Sequence, residues 1–220
     1  MSGVVSVITE ALPFVWRGLM VTLAVSVLVV TVSLLLGGVL GVLRVFGPPL
    51  LRPIIQAFSD VVRGIPVLVL IFFVFYGLPV VLINLDSFAA AVVALSLFST
   101  AQVTELARGA LQSIHHGQTD AAKAIGLTFG QRALHVLLPQ ALNRFLPAWI
   151  NSVTDAVKGS ALVSLIGVVD LMLAIQQVIG RTYQTLPLYL LGAAIYFAIN
   201  YSLSTLSRRL EQRTAYKAQH

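Results

Sequence analysis

The sequence predicts an all-α integral membrane protein of about five transmembrane helices with one helical cytoplasmic loop. Three observations carry that expectation. Apolar residues make up 58% of the chain and charged residues 10%, with a mean hydropathy of +0.93; soluble domains run nearer half apolar and a quarter charged. Uncharged apolar runs of bilayer-crossing length recur along the 220 residues. The basic residues gather in alternate breaks between those runs. A water-soluble globule of this size cannot hide so much apolar surface, so lipid is the natural solvent for the excess.

The length fits a single membrane domain of about five spanning helices over residues 1–220 and leaves no room for a large soluble one. The chain has no cysteine, which excludes disulfides, zinc-thiolate sites and cysteine nucleophiles. The net charge of +6 does not point to nucleic acid, because the basic residues lie between apolar runs and form no stripe. It fits the positive charge that collects on the cytoplasmic side of membrane proteins. The N-terminus does not read as a cleaved leader: Glu10 comes early and the first apolar run is too long.

The first span is expected over Gly18 to Leu43, which holds no charge between them. Gly37 and Gly41 lie four apart, on one face, where they let another backbone approach closely. Gly47-Pro48-Pro49, flanked by Arg44 and Arg52, is a basic break. A second span is expected over Gly64 to Ile83, with Pro66 and Pro79 near its ends. Asn84-Leu85-Asp86-Ser87 is a break without basic residues. The third helix is expected over Phe88 to Gln112, and the polar residues Gln102, Thr104, Glu105 and Arg108 enter its second half. After a polar stretch from Ser113 to Leu134, a fourth helix is expected from Pro139 to Ile166, with Asp155 and Lys158 inside. The apolar segment to Gly180, broken by Gly167 and Asp170, reads as its bent or re-entrant continuation. The last helix is expected over Leu186 to Leu206, before a basic tail. With five spans, the basic stretches at 44–52, 108–144 and the tail share one side. Arg17 and Arg181 go against this pattern. The charge bias places the N-terminus outside and the C-terminus in the cytoplasm.

The polar loop between the third and fourth helices is longer than a bare connection requires. Gln118 to Ile125 is an alanine-rich helix sequence, Gly126 is a helix stop, and Thr128 with Gln131 matches a capping box. Ala121, Ala122, Ile125 and Leu127 supply a small apolar surface. That surface is too small and alanine-rich for strong lipid binding and suits a partner's groove.

Asp120-Ala121-Ala122, then Gly126, then Leu138-Pro139 resembles the EAA loop of ABC importer permeases of the type I, MetI-like kind. Further matches to the polar amino acid uptake (histidine–glutamine–arginine) subfamily run along most of the chain. They are Arg63-Gly64-Ile65-Pro66, Tyr76-Gly77-Leu78-Pro79, Glu105 to Ile114, Gly117-Gln118, Leu138 to Leu142 and Lys158 to Gly167. Asp120 stands where the family has glutamate. Thr119 stands where an aromatic residue is usual, and Gly159 where aspartate is usual. The resemblance implies a bacterial inner-membrane permease working with a cytoplasmic ABC ATPase dimer, a second permease copy or homologue, and an external substrate-binding protein. The chain has no G-x-x-x-x-G-K-[ST] phosphate loop, so ATP and Mg would belong to the ATPase and this chain would carry no cofactor.

On that resemblance, Gln118, Asp120, Ala121, Ala122, Lys123, Gly126 and Arg132 are the candidate ATPase-coupling residues. The candidate substrate pathway rests on ionisable and polar groups inside spans: Gln102, Glu105, Asp155, Lys158, Ser160 and Ser164, with Asp170 also intramembrane; Arg63, just before the second span, is added to it as a residue that either anchors that helix or helps bind a carboxylate. Asp155 and Lys158 lie three apart and can pair on one helix face. The expected cargo is a polar amino acid; an opine- or ectoine-like solute is the alternative, and a secondary transporter a further one. Internal repeats of the kind common in secondary transporters are not found. An intramembrane enzyme or metal site finds no support: there is no H-E-x-x-H, and His115-His116 point to different helix faces without a third ligand.

Overall fold

A computed structural model describes residues 2–218, and the side-chain surroundings of 7–210 and 212. Among these residues all regular structure is helical. Helix α1 (Ser2–Phe46) begins well before the apolar run that signals it and carries Pro13 inside. Helix α4 (Ser87–Gln112) starts at Asp86, whose side chain accepts a hydrogen bond from the Ala89 N–H at 2.8 Å, as an N-cap does. These two helices form the most extensive contact in the fold. Gly37 and Gly41 make it possible: a Cβ on Gly37 would lie 2.7 Å from the Val103 Cβ, and one on Gly41 2.5 Å from the Ala107 Cβ. Gly38, one residue off that face, would meet nothing within 4 Å. The close approach expected from the four-residue spacing is the geometry observed.

The second span differs from its expected form. Helix α2 (Leu51–Gly64) and helix α3 (Val67–Val81) are separate and meet at 102°. Pro66 is the physical cause: it has no N–H to continue a helix, and it drives Ile65 into an extended conformation (φ −93°, ψ 131°). The α3 segment then loosens through a π turn at Phe73–Gly77 and a 3-10 turn at Leu78–Val81. The residues of 51–64, between the basic break and the second apolar run, thus form an amphipathic helix that the sequence reading did not assign.

The polar loop that follows α4 folds as short helix α5 (His116–Ala124), a turn, and short helix α6 (Phe129–Arg132). From Phe129 the chain stays helical through a π turn at Ala133–Leu137, through α7 (Leu138–Gly159) and a 3-10 segment at Ser160–Ile166. A 50° bend follows, and α8 (Leu171–Thr182) continues the path. Helix α9 (Thr185–Ala218) closes the bundle. Among the described residues, three helices are long and apolar enough to cross a bilayer alone, and up to five spans result if each bent pair is one.

Two buried clusters bracket the bundle. One joins Val25 and Val29 of α1 to Ile71 of α3, Ala90, Ala91 and Ala94 of α4, and Val163. The other joins Ala11 and Val15 of α1 to Leu171 and Ile175 of α8 and Leu188 of α9. Between them lies a polar knot. The Asp170 side chain, fully buried, caps α8 through the Leu173 N–H at 2.9 Å, and the Tyr196 hydroxyl of α9 lies 3.4 Å from its other oxygen. The Thr22 hydroxyl of α1 joins the group by accepting from the Leu171 N–H at 3.0 Å. Satisfying every member of such a group is what makes its burial tolerable in an apolar surrounding.

Candidate substrate pathway and coupling loop

A cavity of about 400 Å³ opens between α2, α4 and α7, lined by Arg63, Gln102, Glu105, Leu106, Ala148, Asn151, Ser152 and Asp155. This size falls within the range of small-molecule pockets. Four of the seven pathway residues read from the sequence thus converge on one space. Arg63 arrives from the last turn of α2, immediately before the 102° break. Gln102 and Glu105 face it from α4, one helical turn apart. On α7, Ala148, Asn151, Ser152 and Asp155 follow the three- and four-residue spacing of a single helix face. The Ser152 hydroxyl donates to Gln102 Oε1 at 3.5 Å and bridges the two walls.

The other three pathway candidates do not line the cavity. Lys158 pairs with Asp155 at 2.8 Å, one turn along α7, with both side chains more than half exposed. Ser160 and Ser164 donate to the carbonyls of Val157 (2.8 Å) and Ala161 (2.7 Å) in their own turns. In a segment where the helix tightens, those hydroxyls satisfy the local backbone.

Glu105 is the electrostatic centre of the cavity wall. Its carboxylate is largely buried and meets three guanidinium groups: Arg44 in direct contact, Arg108 at 2.9 Å, and Arg63 at 3.9 Å. Arg44, at the end of α1, is a member that sequence reading missed. The signal was present: Gly41 packs on Ala107, and one helical turn onward Arg44 falls beside Glu105 and Arg108. Asn151 and Ser152 were missed as well, although their spacing from Asp155 marks them.

The coupling-loop candidates occupy one compact hairpin. Helix α5 ends in a full Schellman arrangement: the Gly126 N–H donates to Lys123 O at 2.9 Å and the Leu127 N–H to Ala122 O at 3.1 Å. Gly126 has φ +82°, the left-handed region that glycine enters without a Cβ penalty. Thr128 and Gln131 form the expected reciprocal capping box. Ala122 is buried against the chain, whereas Ala121 and Ile125 are exposed, so the apolar surface expected here divides in two. Asp120 and Lys123 pair at 3.2 Å on the exposed side. Gln118 lies 3.5 Å from Gln140 of α7. Arg132 turns inward to the Leu127 carbonyl at 3.1 Å and braces the turn. Phe129 packs edge-on against Phe46, with ring centroids 5.4 Å apart, joining the loop to the end of α1.

Comparison with known proteins agrees with this geometry. The profile of the family described as binding-protein-dependent transport system inner membrane component matches residues 30–216. A Bacillus subtilis protein named probable glutamine ABC transporter permease protein GlnP is 37% identical over 207 residues, covering 93% of this chain and 95% of its own. The Bacillus subtilis arginine transport system permease protein ArtQ is 34% identical over 206 residues, covering 92% and 93%. A solved amino acid ABC transporter with histidines contains a chain that superposes with a TM-score of 0.88 at 32% identity, covering 94% of this chain and 96% of that one. The chain belongs to the binding-protein-dependent transport system inner membrane components, the permease subunits of ABC importers.

Proposed function

We propose that this permease, as one domain over residues 1–220, carries a polar amino acid into the cytoplasm, and that the cavity between α2, α4 and α7 is a station on its path. The observation that carries the reading is the composition of that cavity. It sets a cationic group, Arg63, and an anionic group, Asp155, among the neutral hydrogen-bonding side chains of Gln102, Asn151 and Ser152. A zwitterion needs both signs of charge, and a polar side chain needs neutral donors and acceptors. The glutamine and arginine names of the relatives support the same cargo class.

Power comes from a partner. The sequence holds no phosphate loop, so the chain acts as a transport subunit and ATP with its Mg sits on a separate cytoplasmic ATPase pair. The hairpin 116–132 docks on that ATPase, with Gln118, Asp120, Ala121, Ala122 and Lys123 on the docking helix and Gly126 and Arg132 fixing its turn. The exposed Ile125 is the apolar anchor for the partner's groove. A second permease copy or a homologue completes the pathway, and an external binding protein delivers cargo. Nucleotide and binding protein then bias the bundle between inward- and outward-open states. The charge bias supports an N-terminus outside and a C-terminus in the cytoplasm of a bacterial inner membrane.

The test is ATP hydrolysis by the permease reconstituted in lipid with its ATPase and binding protein, across a panel of amino acids. Stimulation by one polar amino acid is the expected result; a complex that forms and is stimulated by none rejects the cargo class. Gly126→Asp that still co-purifies with the ATPase and still couples would argue against the docking role of the hairpin. Because the chain lacks cysteine, single introduced cysteines read sidedness directly; external labelling at the C-terminal tail would reverse the orientation.

A further inference from the structure

The cluster at Glu105 is unbalanced. Three arginines share one carboxylate, and their hold on it differs. Arg44 is the most enclosed, with 12% of its side chain exposed, and contacts Oε1 directly. Arg108 meets Oε2 with two of its nitrogens, both at 2.9 Å. Arg63 stands 3.9 Å from the same Oε2, outside hydrogen-bond range, with 45% of its side chain exposed, and it lines the cavity. A carboxylate accepts well from two such partners at once. Arg63 is therefore the surplus cation, held by Coulomb attraction alone and facing the space in which we place the substrate. It also sits in the last turn of α2, immediately before the 102° break.

We propose that Arg63 is an exchange residue: the substrate carboxylate takes it from Glu105, and this handover reports occupancy of the cavity to the coupling loop. The inference rests on the reading that the cavity receives an amino acid. Its energetics follow from differential binding. With the cavity empty, Arg63 is drawn towards Glu105 and α4. With a carboxylate present, Arg63 makes charge-assisted hydrogen bonds that Glu105 does not give it, and α2 is released from α4. A ligand shifts a conformational balance only by such a difference. Helix α4 is the natural conductor. Arg108 reaches from the Glu105 carboxylate to Gln112 at its last turn, and the Ser113 carbonyl that follows is held by Arg144 of α7, so the cluster is wired to both ends of the hairpin 116–132.

The experiment is ATP hydrolysis by the full complex in lipid, with binding protein added empty or loaded with L-glutamine or, separately, L-arginine. Glu105→Asp keeps the charge that Arg44 and Arg108 need but withdraws the carboxylate from Arg63. It is expected to raise hydrolysis without substrate by about fivefold or more and to bring the ratio of stimulated to basal rate close to unity. Arg63→Gln breaks the same attraction from its other end and should raise hydrolysis to a similar level, and adding it to Glu105→Asp should raise it no further. A structural lesion at Glu105 would instead add to the effect of Arg63→Gln. A basal rate in the double variant well above that of either single variant overturns the proposal, and so does wild-type behaviour of an assembled Glu105→Asp complex. Should Glu105→Asp fail to assemble, Arg63→Lys must retain stimulation that Arg63→Gln loses; equal loss overturns the proposal. A wild-type complex that neither amino acid stimulates rejects the cargo reading, and this inference with it. Normal stimulation with indifferent Arg63 variants rejects the exchange alone.

Discussion

Gly41 of α1 and Ala107 of α4 approach so closely that a Cβ on Gly41 would stand 2.5 Å from that of Ala107 and 2.9 Å from the Thr104 carbonyl oxygen. Both obstacles belong to a buried helix face that cannot step aside. Gly41→Ala should therefore force the two helices apart and cost about 1–3 kcal/mol. Gly38→Ala adds the same methyl where nothing lies within 4 Å. It should be neutral, or stabilising by up to about 1 kcal/mol through helix propensity. Thermal unfolding of the two variants in the same detergent checks the pair; equal melting temperatures would refute the close contact.

Removing either end of the Arg44–Glu105 pair should not cost the same. Glu105→Ala strands three guanidinium groups, one of them nearly enclosed, and should destabilise by about 3 kcal/mol or more. Arg44→Ala leaves Glu105 with Arg108 at 2.9 Å and should cost about 1 kcal/mol. Unfolding of both variants in lipid nanodiscs gives the ordering, and the reverse ordering would contradict the cluster.

At Gly126 the strain is purely conformational, because φ is +82° and an added Cβ meets no atom within 4 Å. Gly126→Asn should be tolerated within about 1 kcal/mol, since asparagine enters the left-handed region. Gly126→Val should unwind the end of α5 and reduce recovery of the ATPase with the permease. Co-purification of both variants is the measurement, and identical recovery would show that the turn does not position the helix.

Asp170 should tolerate loss of charge better than loss of its oxygens. In Asp170→Asn one oxygen can still cap the Leu173 N–H, and the amide can donate to the Tyr196 hydroxyl. Asp170→Ala removes the cap and leaves the half-buried Tyr196 hydroxyl short of a partner, at about 2–4 kcal/mol. A melting temperature for Asp170→Asn as low as that of Asp170→Ala would mean that the charge itself holds the site.

Periodicity and breakers carried much of the fold into view from the sequence. Gly37 and Gly41 marked a face of α1 for close helix contact, Thr128 and Gln131 the start of α6, and Gly126 the end of α5. Each of these signals is local, written in a few neighbouring residues. The 102° turn at Pro66 was not legible because proline announces a break without its angle, and α2 was not because Leu51 to Gly64 mixes apolar and charged residues as a loop or a surface helix can. At the cavity, Gln102, Glu105 and Asp155 were legible as polar groups inside apolar runs, and Arg63 as a cation at the edge of one. Arg44 was not, since its role depends on which helix α1 lies against. Ser160 and Ser164 carried the same polar signal but bond to their own turns, a distinction that only three-dimensional geometry makes.

The unbroken path from Phe129 to Ile166 has a mechanical consequence. At ~1.5 Å per residue it is a rod of roughly 55 Å, longer than a bilayer's hydrocarbon core of ~30 Å. The hairpin stands at its foot and the Asp170 knot near its head, with the Asp155 wall of the cavity between. Such a rod is a lever: where its pivot falls fixes the stroke at the cavity for a given push at the foot. A pivot at the wedge where Pro147 accepts a hydrogen bond from Ser207 of α9 at 3.1 Å would swing the Asp155 wall only a little, while the head sweeps wide.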